Sequence, residues 1–205
     1  IGAIVGVGIG GINELEQAGV VIKERGPGRI SPFLIPSVIA NMASGNITIK
    51  YGLKGVNYSV TSACSSGAHS IGEATNYIRR GLADVMLAGG AEAAIGPLGI
   101  GGFAAMKALS TRNDQPAMAS RPFDRDRDGF VLSEAGAMLI LEDFEHASRR
   151  GAKIYGEVAG YGSSSDAHHM TNPAPGGVGA ALAMKVALAD AHLNPEDIQY
   201  INAHG

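Results

Sequence analysis

The sequence is poor in cysteine, in charge and in long apolar runs. Charged residues make up 17% of the 205 residues and leave a formal net charge of −3, so no basic surface points to nucleic acid as a partner. One cysteine cannot form an intrachain disulfide, which favours a reducing, cytoplasmic setting. No apolar run approaches the roughly 18 residues that a membrane helix needs. We therefore expect a cytoplasmic protein without nucleic-acid or membrane partners.

Glycine, by contrast, is abundant. It accounts for 30 of the 205 residues, about twice its average share, and the hydrophobic fraction of 45% is enough for a real core. Glycines at this density mark tight turns, close backbone packing or backbone that approaches a ligand. The chain begins at Ile1 within an apolar run and stops just after a histidine, so we expect it to be incomplete at both ends.

Apolar runs alternate with helical patterns along the chain. Such alternation predicts an α/β fold, and since no linker or repeat interrupts it we expect residues 1–205 to form one domain. Extended segments are expected at residues 4–7, 56–60, 84–88, 138–141, 155–159 and 198–201. Helices are expected at residues 13–23, 37–50 and 65–80, and over the stretch that ends before Pro195.

The lone cysteine, Cys64, lies between a strand-like run and a helical start of small residues, SSGA. A thiol at such a turn is accessible, and the helix dipole together with free backbone N–H groups favours the thiolate, which is the nucleophilic form. The alternative is a buried, inert cysteine that packs as a small hydrophobe. Position alone leaves both interpretations open.

The GVGIGG segment at residues 6–11 matches the GxGxxG pattern of dinucleotide-binding turns. That fingerprint also requires a second parallel strand and an acidic residue about 20 positions further on. The residues that follow do not supply them in the required places. A glycine-rich turn in close packing is the preferred interpretation.

Two possible metal sites are also weak. The DRDRDG segment from Asp124 begins like a calcium loop, but Ala135 stands where the bidentate glutamate belongs, so we expect local Asp–Arg ion pairs there. His168 and His169 are adjacent and lack spaced partners for zinc. We expect no metal and no cofactor. Surface or capping roles are expected for the histidines in helical stretches, His69, His146 and His192.

A second candidate for chemistry is His204, which follows the extended segment IQYINA. Ligands in open α/β sheets gather beyond the carboxyl ends of the strands, where Cys64 is also expected. The two side chains could therefore converge, although their distance along the chain excludes a local motif.

Four longer segments carry a resemblance to a known family. They are VTSACSSGAHSIGEA around Cys64, AGGAEAAIGPLG from Ala88, RPFDRDRDGFVLSEAGAMLILE from Arg121 and YINAHG at the end. Together they resemble the type II β-ketoacyl-acyl-carrier-protein synthases, over the whole chain. Polyketide ketosynthase domains are also similar, but GAHSIGEA and HHMTNPAP look more like the stand-alone fatty-acid enzyme.

The resemblance implies a thiolase-like fold of two duplicated α/β halves stacked in layers, within a homodimer. It implies that Cys64 takes an acyl chain as a thioester from the pantetheine arm of an acyl carrier protein. Malonyl on a second carrier then loses CO2, and the resulting carbanion attacks the thioester to give a longer β-ketoacyl chain. A neutral His204 would donate a hydrogen bond to the malonyl thioester oxygen, and the backbone N–H of Cys64 would stabilise a developing oxyanion.

Further site residues follow from the resemblance. Thr171 would touch the pantetheine arm, while Arg29 and Lys107 would meet the acidic carrier protein. Core packing or ordinary solvated charge remains the alternative for each. The residues expected to border the acyl tunnel are Ile9, reaching it from the partner subunit, Ala94 and Phe103.

The sequence departs from the family pattern at its ends. A lysine, a second histidine and a glycine-rich loop that follow YINAHG in the family are absent, so we expect a fragment that does not complete the condensation by itself. Two other classes stay open. One is a cysteine hydrolase of thioesters or peptides, which also uses a cysteine and a distant histidine. The other is a non-catalytic thiolase-like subunit that acts through pairing and carrier docking.

Overall fold

Four strands and seven α-helices form the regular structure of residues 1–204, which the computed structural model describes. The chain divides into two units, Ile1–Leu141 and Glu142–His204. The strands are β1 (Gly2–Gly6), β2 (Asn57–Val60), β3 (Val85–Glu92) and β4 (Ala135–Glu142). The helices are α1 (Ile12–Arg25), α2 (Leu34–Val38), α3 (Met42–Tyr51), α4 (Ser66–Arg79), α5 (Pro97–Ala105), α6 (Phe144–Arg149) and α7 (Val178–Ala191).

The strands of the first unit form one mixed sheet in the order β2-β1-β3-β4. β1 is parallel to both neighbours, with Ile4 opposite Tyr58 on one side and Ala88 on the other. Gly89 lies beside Met138 whereas Gly136 lies beside Ala91, so β4 runs antiparallel to β3. The carboxyl ends of β1, β2 and β3 therefore meet at one edge of the sheet.

Helices cover both faces of this sheet. On one face Ile4, Met86 and Ala88 pack against Ala74 of α4, and all four are fully buried. The apolar residues of α4 recur at the helical spacing, which gives the helix the single apolar face that it buries. On the other face Asn57 donates a side-chain hydrogen bond to the Thr48 hydroxyl of α3 at 2.9 Å. The predicted α/β class is confirmed.

The second unit is built around α6 and α7. The Asp143 carboxylate caps α6 by accepting the backbone N–H of His146 at 2.9 Å. The segment before α7 lies against that helix, because a Cβ at Gly160 would overlap the backbone of Ala187. Asp190 of α7 accepts the backbone N–H of Tyr161 at 2.8 Å.

Two of the expected strands are absent from the described residues. Neither residues 155–159 nor residues 198–201 form a strand, so the prediction of strands there is wrong. An apolar run indicates that a segment is buried. A strand also requires regular hydrogen bonds to a neighbouring backbone.

The helices also differ from expectation in two places. The helix expected at residues 37–50 is two helices, because Ile39 is extended and ends α2. α5 was not expected because its glycines weaken the helical signal. The helical stretch expected around His146 is α6. Among the described residues, no helix combines the length and the apolar character needed to cross a bilayer.

Candidate active site

Cys64 occupies the turn that joins β2 to α4. Its side chain is exposed, so a buried, inert cysteine is excluded. The preceding residue, Ala63, has a φ of +50°, a left-handed conformation that non-glycine residues rarely adopt outside turns and functional sites. The turn therefore presents the thiol to solvent just before the first helical residue, Ser66.

Ser66 holds this turn in place. Its hydroxyl accepts the backbone N–H of Ser62 at 2.8 Å and donates to the carbonyl of Ala63 at 2.7 Å. Ser66 is only 3% exposed, so water does not compete for these bonds. His69, in the second turn of α4, adds a hydrogen bond between its Nδ1 atom and the Ser62 hydroxyl at 2.7 Å. No sequence pattern selects Ser66 or His69 for this role.

Three glycines allow β1 and β3 to approach the start of α4. A Cβ at Gly6 would overlap the backbone of Ser66, and a Cβ at Gly90 would lie 3.3 Å from the Cα of Gly67. The close packing expected of the glycine-rich segment is thus observed. It sets the Cys64 turn against the carboxyl ends of the two central strands.

The GVGIGG turn binds a carboxylate from within the chain. Oε2 of Glu92, the last residue of β3, accepts the backbone N–H groups of Gly8 and Ile9 at 2.8 Å each. Oε1 accepts the N–H of Gly10 at 3.1 Å. Consecutive N–H groups directed at one anion form the nest that phosphate-binding turns use. Here Glu92 occupies the nest, which explains why the glycine pattern imitates a dinucleotide fingerprint.

The other residues expected in the first unit have distinct environments. Ile9 is 45% exposed and Ala94 is 1% exposed, just after the end of β3. Phe103 of α5 packs edge-on against Phe130 with ring centres 5.2 Å apart. Cys64, the Ile9 turn and Ala94 all follow carboxyl ends of parallel strands, so the structure brings these three to one edge.

Arg29 and Lys107 are both exposed. Arg29 ends the short 3-10 turn Pro27–Arg29, and Lys107 follows α5 with a φ of +55°. Thr171 and His204 lie in the second unit and are exposed. The backbone N–H of Thr171 donates to Nδ1 of His169 at 3.1 Å.

A groove of about 810 Å³ borders the same edge of the first unit. Its lining includes Gly10, Ile39, Met42 and Ala93. Cys64 is not among the lining residues, so the groove does not begin at the thiol.

The DRDRDG segment contains the ion pairs that its sequence predicts. Arg125 lies 3.2 Å from Asp126, and Arg121 lies 3.7 Å from Asp128. Hydrogen bonds from the Ser110 hydroxyl and the Thr111 N–H lower the pKa of the Asp128 carboxyl. Within residues 1–204, no three metal-ligating side chains cluster.

The remaining histidines have local structural roles. His146 bonds the Glu142 carboxylate through Nδ1 at 2.5 Å. His192 is the C-cap residue of α7, with a φ of +55°. His69 was expected to have a surface or capping role, and the structure shows in addition that it bonds the Ser62 hydroxyl in the turn that carries Cys64.

Comparison with known proteins accounts for both units. The model described as "Beta-ketoacyl synthase, N-terminal domain" matches residues 1–147, and "Beta-ketoacyl synthase, C-terminal domain" matches residues 155–205. The chain is 53% identical to 3-oxoacyl-[acyl-carrier-protein] synthase 2 of Vibrio cholerae over all of its length and 50% of the relative. It is 48% identical to the synthase of the same name from Staphylococcus aureus, covering 51% of that relative. The chain thus spans about half the length of the curated relatives it matches.

Solved structures give the same result. A β-ketoacyl synthase from Burkholderia phymatum superposes with a TM-score of 0.91 at 39% identity, over 100% of this chain and 49% of that one. A ketosynthase in a complex of a type II polyketide acyl carrier protein with its ketosynthase gives 0.89 at 39% identity, over 98% and 52%. The thiolase-like α/β fold is confirmed, and the chain belongs to the β-ketoacyl synthase family.

Proposed function

We propose that Cys64 is the acyl-accepting nucleophile of a β-ketoacyl-acyl-carrier-protein synthase that elongates fatty acids. The observation that carries the proposal is the exposed thiol on a strained turn, at the carboxyl edge of three parallel strands. The names of the relatives at 48% to 53% identity support the choice of reaction. Residues 1–205 are, on this proposal, part of one thiolase-like ketosynthase domain.

The first half-reaction is acyl transfer. The Cys64 thiol gives up its proton to solvent, and the thiolate attacks the carbonyl carbon of an acyl thioester. A new sulfur–carbon bond forms to Cys64, the carbon–sulfur bond to pantetheine breaks, and the pantetheine thiolate leaves and takes a proton back from solvent. The positive end of α4, a helix of 14 residues, stabilises both the thiolate and the oxyanion of the tetrahedral intermediate. Loss of one oxyanion donor typically costs about 3 kcal/mol.

The second half-reaction is a decarboxylative Claisen condensation. Malonyl on a second carrier loses CO2, and its electron pair attacks the thioester carbon and expels the Cys64 thiolate. His204 donates a hydrogen bond to the malonyl thioester oxygen and stabilises the enolate. Thr171 contacts the pantetheine arm, and Ile9, Ala94 and Phe103 border the acyl chain.

The proposed partner is an acyl carrier protein. A structural neighbour is itself solved as an acyl-carrier protein in complex with its ketosynthase. Arg29 and Lys107 are exposed cations that suit the acidic surface of such a carrier.

A homodimer is proposed as well, since β2 is an edge strand of the sheet and an uncovered edge favours pairing with another chain. We propose a cytoplasmic protein that binds neither nucleic acid nor membranes.

Polyketide synthesis is the second candidate. Its support is the neighbouring ketosynthase "bound to the hexaketide" at 39% identity. Fatty-acid elongation and polyketide synthesis are distinguished by letting a saturated acyl carrier and a poly-β-keto carrier compete for Cys64. Preference for the saturated chain is expected, and preference for the polyketide would favour the second candidate.

Acylation of Cys64, followed by intact mass, tests the function itself. An acyl increment on the Cys64 peptide that is discharged by malonyl carrier as β-ketoacyl product supports the synthase. Steady hydrolysis of the thioester without dependence on malonyl carrier would indicate a hydrolase. If the native protein keeps its activity after Cys64→Ala, the chain acts as a non-catalytic subunit.

A further inference from the structure

We propose that Glu92 is a positioning residue that fixes the backbone from which Ile9 projects, and so sets the chain-length preference of the acyl pocket. This inference rests on the proposed function in one respect, the place of Ile9 beside the acyl chain. The contacts of Glu92 are independent of that assignment.

The carboxylate of Glu92 is seated directly on the turn. Both of its oxygens are used, and together they accept the N–H groups of Gly8, Ile9 and Gly10 at 2.8, 2.8 and 3.1 Å. A Cβ at Gly8 would lie 2.8 Å from Oε2, so the carboxylate needs glycine there to reach the backbone. Hydrogen bonds to an ionised acceptor are about twice as strong as neutral ones.

Within one chain, the side chain of Ile9 provides little packing to hold the turn. It is 45% exposed, and Gly10, which follows it, has a φ of +81° that glycine adopts freely. The N–H of Ile9 is the middle one of the three donors. Backbone hydrogen bonds from Val7 to Val60 and from Gly11 to Val38 anchor the two ends of the turn, and the Glu92 carboxylate holds the three N–H groups between them, including that of Ile9.

The same contact ties two strands together beyond their last ladder bonds. Glu92 ends β3 and Gly6 ends β1, so the carboxylate links segments more than 80 positions apart. A Cβ at Gly8 would also lie 3.4 Å from the carbonyl oxygen of Ala63. The turn that Glu92 holds is thus next to the residue that precedes Cys64.

Glu92→Gln is the sharpest test. The amide keeps the size of the side chain, but its NH2 group cannot accept from a backbone N–H, so at least one of the three bonds is lost. We expect amide exchange of Gly8, Ile9 and Gly10 to accelerate by about tenfold. We expect the ratio of kcat/KM for long and short acyl carriers in the native protein that carries this sequence to change by a similar factor, roughly tenfold. Glu24→Gln is the control, because Glu24 is an exposed carboxylate on α1. We expect it to leave the amide exchange rates and the chain-length ratio unchanged.

Chemical rescue separates positioning from general destabilisation. Glu92→Ala leaves the three N–H groups without their acceptor, and formate is a carboxylate small enough to replace it. We expect formate, but not chloride at equal ionic strength, to restore the chain-length ratio. Failure of formate to rescue a folded Glu92→Ala protein that has lost the ratio would contradict the inference.

Two results would overturn the inference, and the first of them needs neither a variant nor the reaction. Fast exchange of the Gly8, Ile9 and Gly10 amides in the unmodified protein would exclude the hydrogen bonds. If Cys64 is acylated but Glu92→Gln keeps the original chain-length ratio, the positioning role is wrong and the proposed function stands. If Cys64 accepts no acyl group at all, the proposed function fails, and the exchange rates still decide whether Glu92 holds the turn.

Discussion

The hydroxyl of Ser66 donates to the carbonyl oxygen of Ala63 across 2.7 Å, and this bond closes the turn that exposes Cys64. The same hydroxyl accepts the N–H of Ser62. A buried side chain thus holds the strained backbone that presents the Cys64 thiol.

Ser66→Ala removes both bonds: the backbone N–H of Ser62 loses its acceptor, while the carbonyl of Ala63 keeps the backbone N–H of Ser66 at 3.1 Å. We expect the free energy of unfolding to fall by about 1–3 kcal/mol, and alkylation of Cys64 by iodoacetamide to change in rate as the turn relaxes. Ser65→Ala is the matched control, because the Ser65 side chain makes no capping hydrogen bond. Equal behaviour of the two variants would contradict the role given to Ser66.

Gly6→Ala tests the close approach of β1 to α4. The added methyl group overlaps the backbone of Ser66, so strand and helix must separate, at a cost of about 1–3 kcal/mol in the free energy of unfolding. Urea denaturation measures this cost. Gly101→Ala is the control, since a Cβ there meets no atom within 4 Å and an alanine inside a helix is favourable by roughly 0.5–1 kcal/mol.

The second unit has a pH-dependent contact at Glu142. Hydrogen bonds from Arg150 first and His146 second lower the pKa of Glu142 to about 2, from the ordinary 4.5. The folded protein therefore holds this carboxylate ionised more strongly than the unfolded chain does. The resulting stabilisation is complete above about pH 4.5 and is lost as the pH falls toward about 2.

Glu142→Gln is expected to flatten this dependence of unfolding free energy on pH. Denaturant melts between neutral pH and about pH 3 measure it. Glu145→Gln breaks only an exposed pair with Arg149 at 3.7 Å and should leave the pH profile intact. A Glu142→Gln profile parallel to that of the unmodified protein would refute the assignment.

Much of the first unit could be predicted from sequence, because its strands are short apolar runs with sharp ends. β1, β2, β3 and β4 each overlap an expected segment, and the amphipathic pattern of α4 placed the turn at Cys64 correctly. The expected strands at residues 155–159 and 198–201 were wrong, because an apolar run alone does not specify the regular backbone pairing of a strand.

The supporting residues of the site depend on contacts that a sequence pattern does not reveal. Glu92 meets Gly8 only after β1 and β3 pair, and Ser66 becomes buried only when Gly6 lies against it. One signal was present for Glu92. The GVGIGG turn offers several adjacent N–H groups that need an acceptor, and once a nucleotide is rejected, an acidic residue of the chain itself is the remaining candidate.

Cys64 is tested most directly as the acyl acceptor by the mass of the native protein that carries this sequence, after incubation with a long-chain acyl carrier protein. We predict an increment equal to one acyl group, located on the peptide that contains Cys64 and absent from Cys64→Ala. A folded protein that gains no acyl group, or a Cys64→Ala variant that gains it equally, would contradict the assignment of Cys64 as the acyl acceptor.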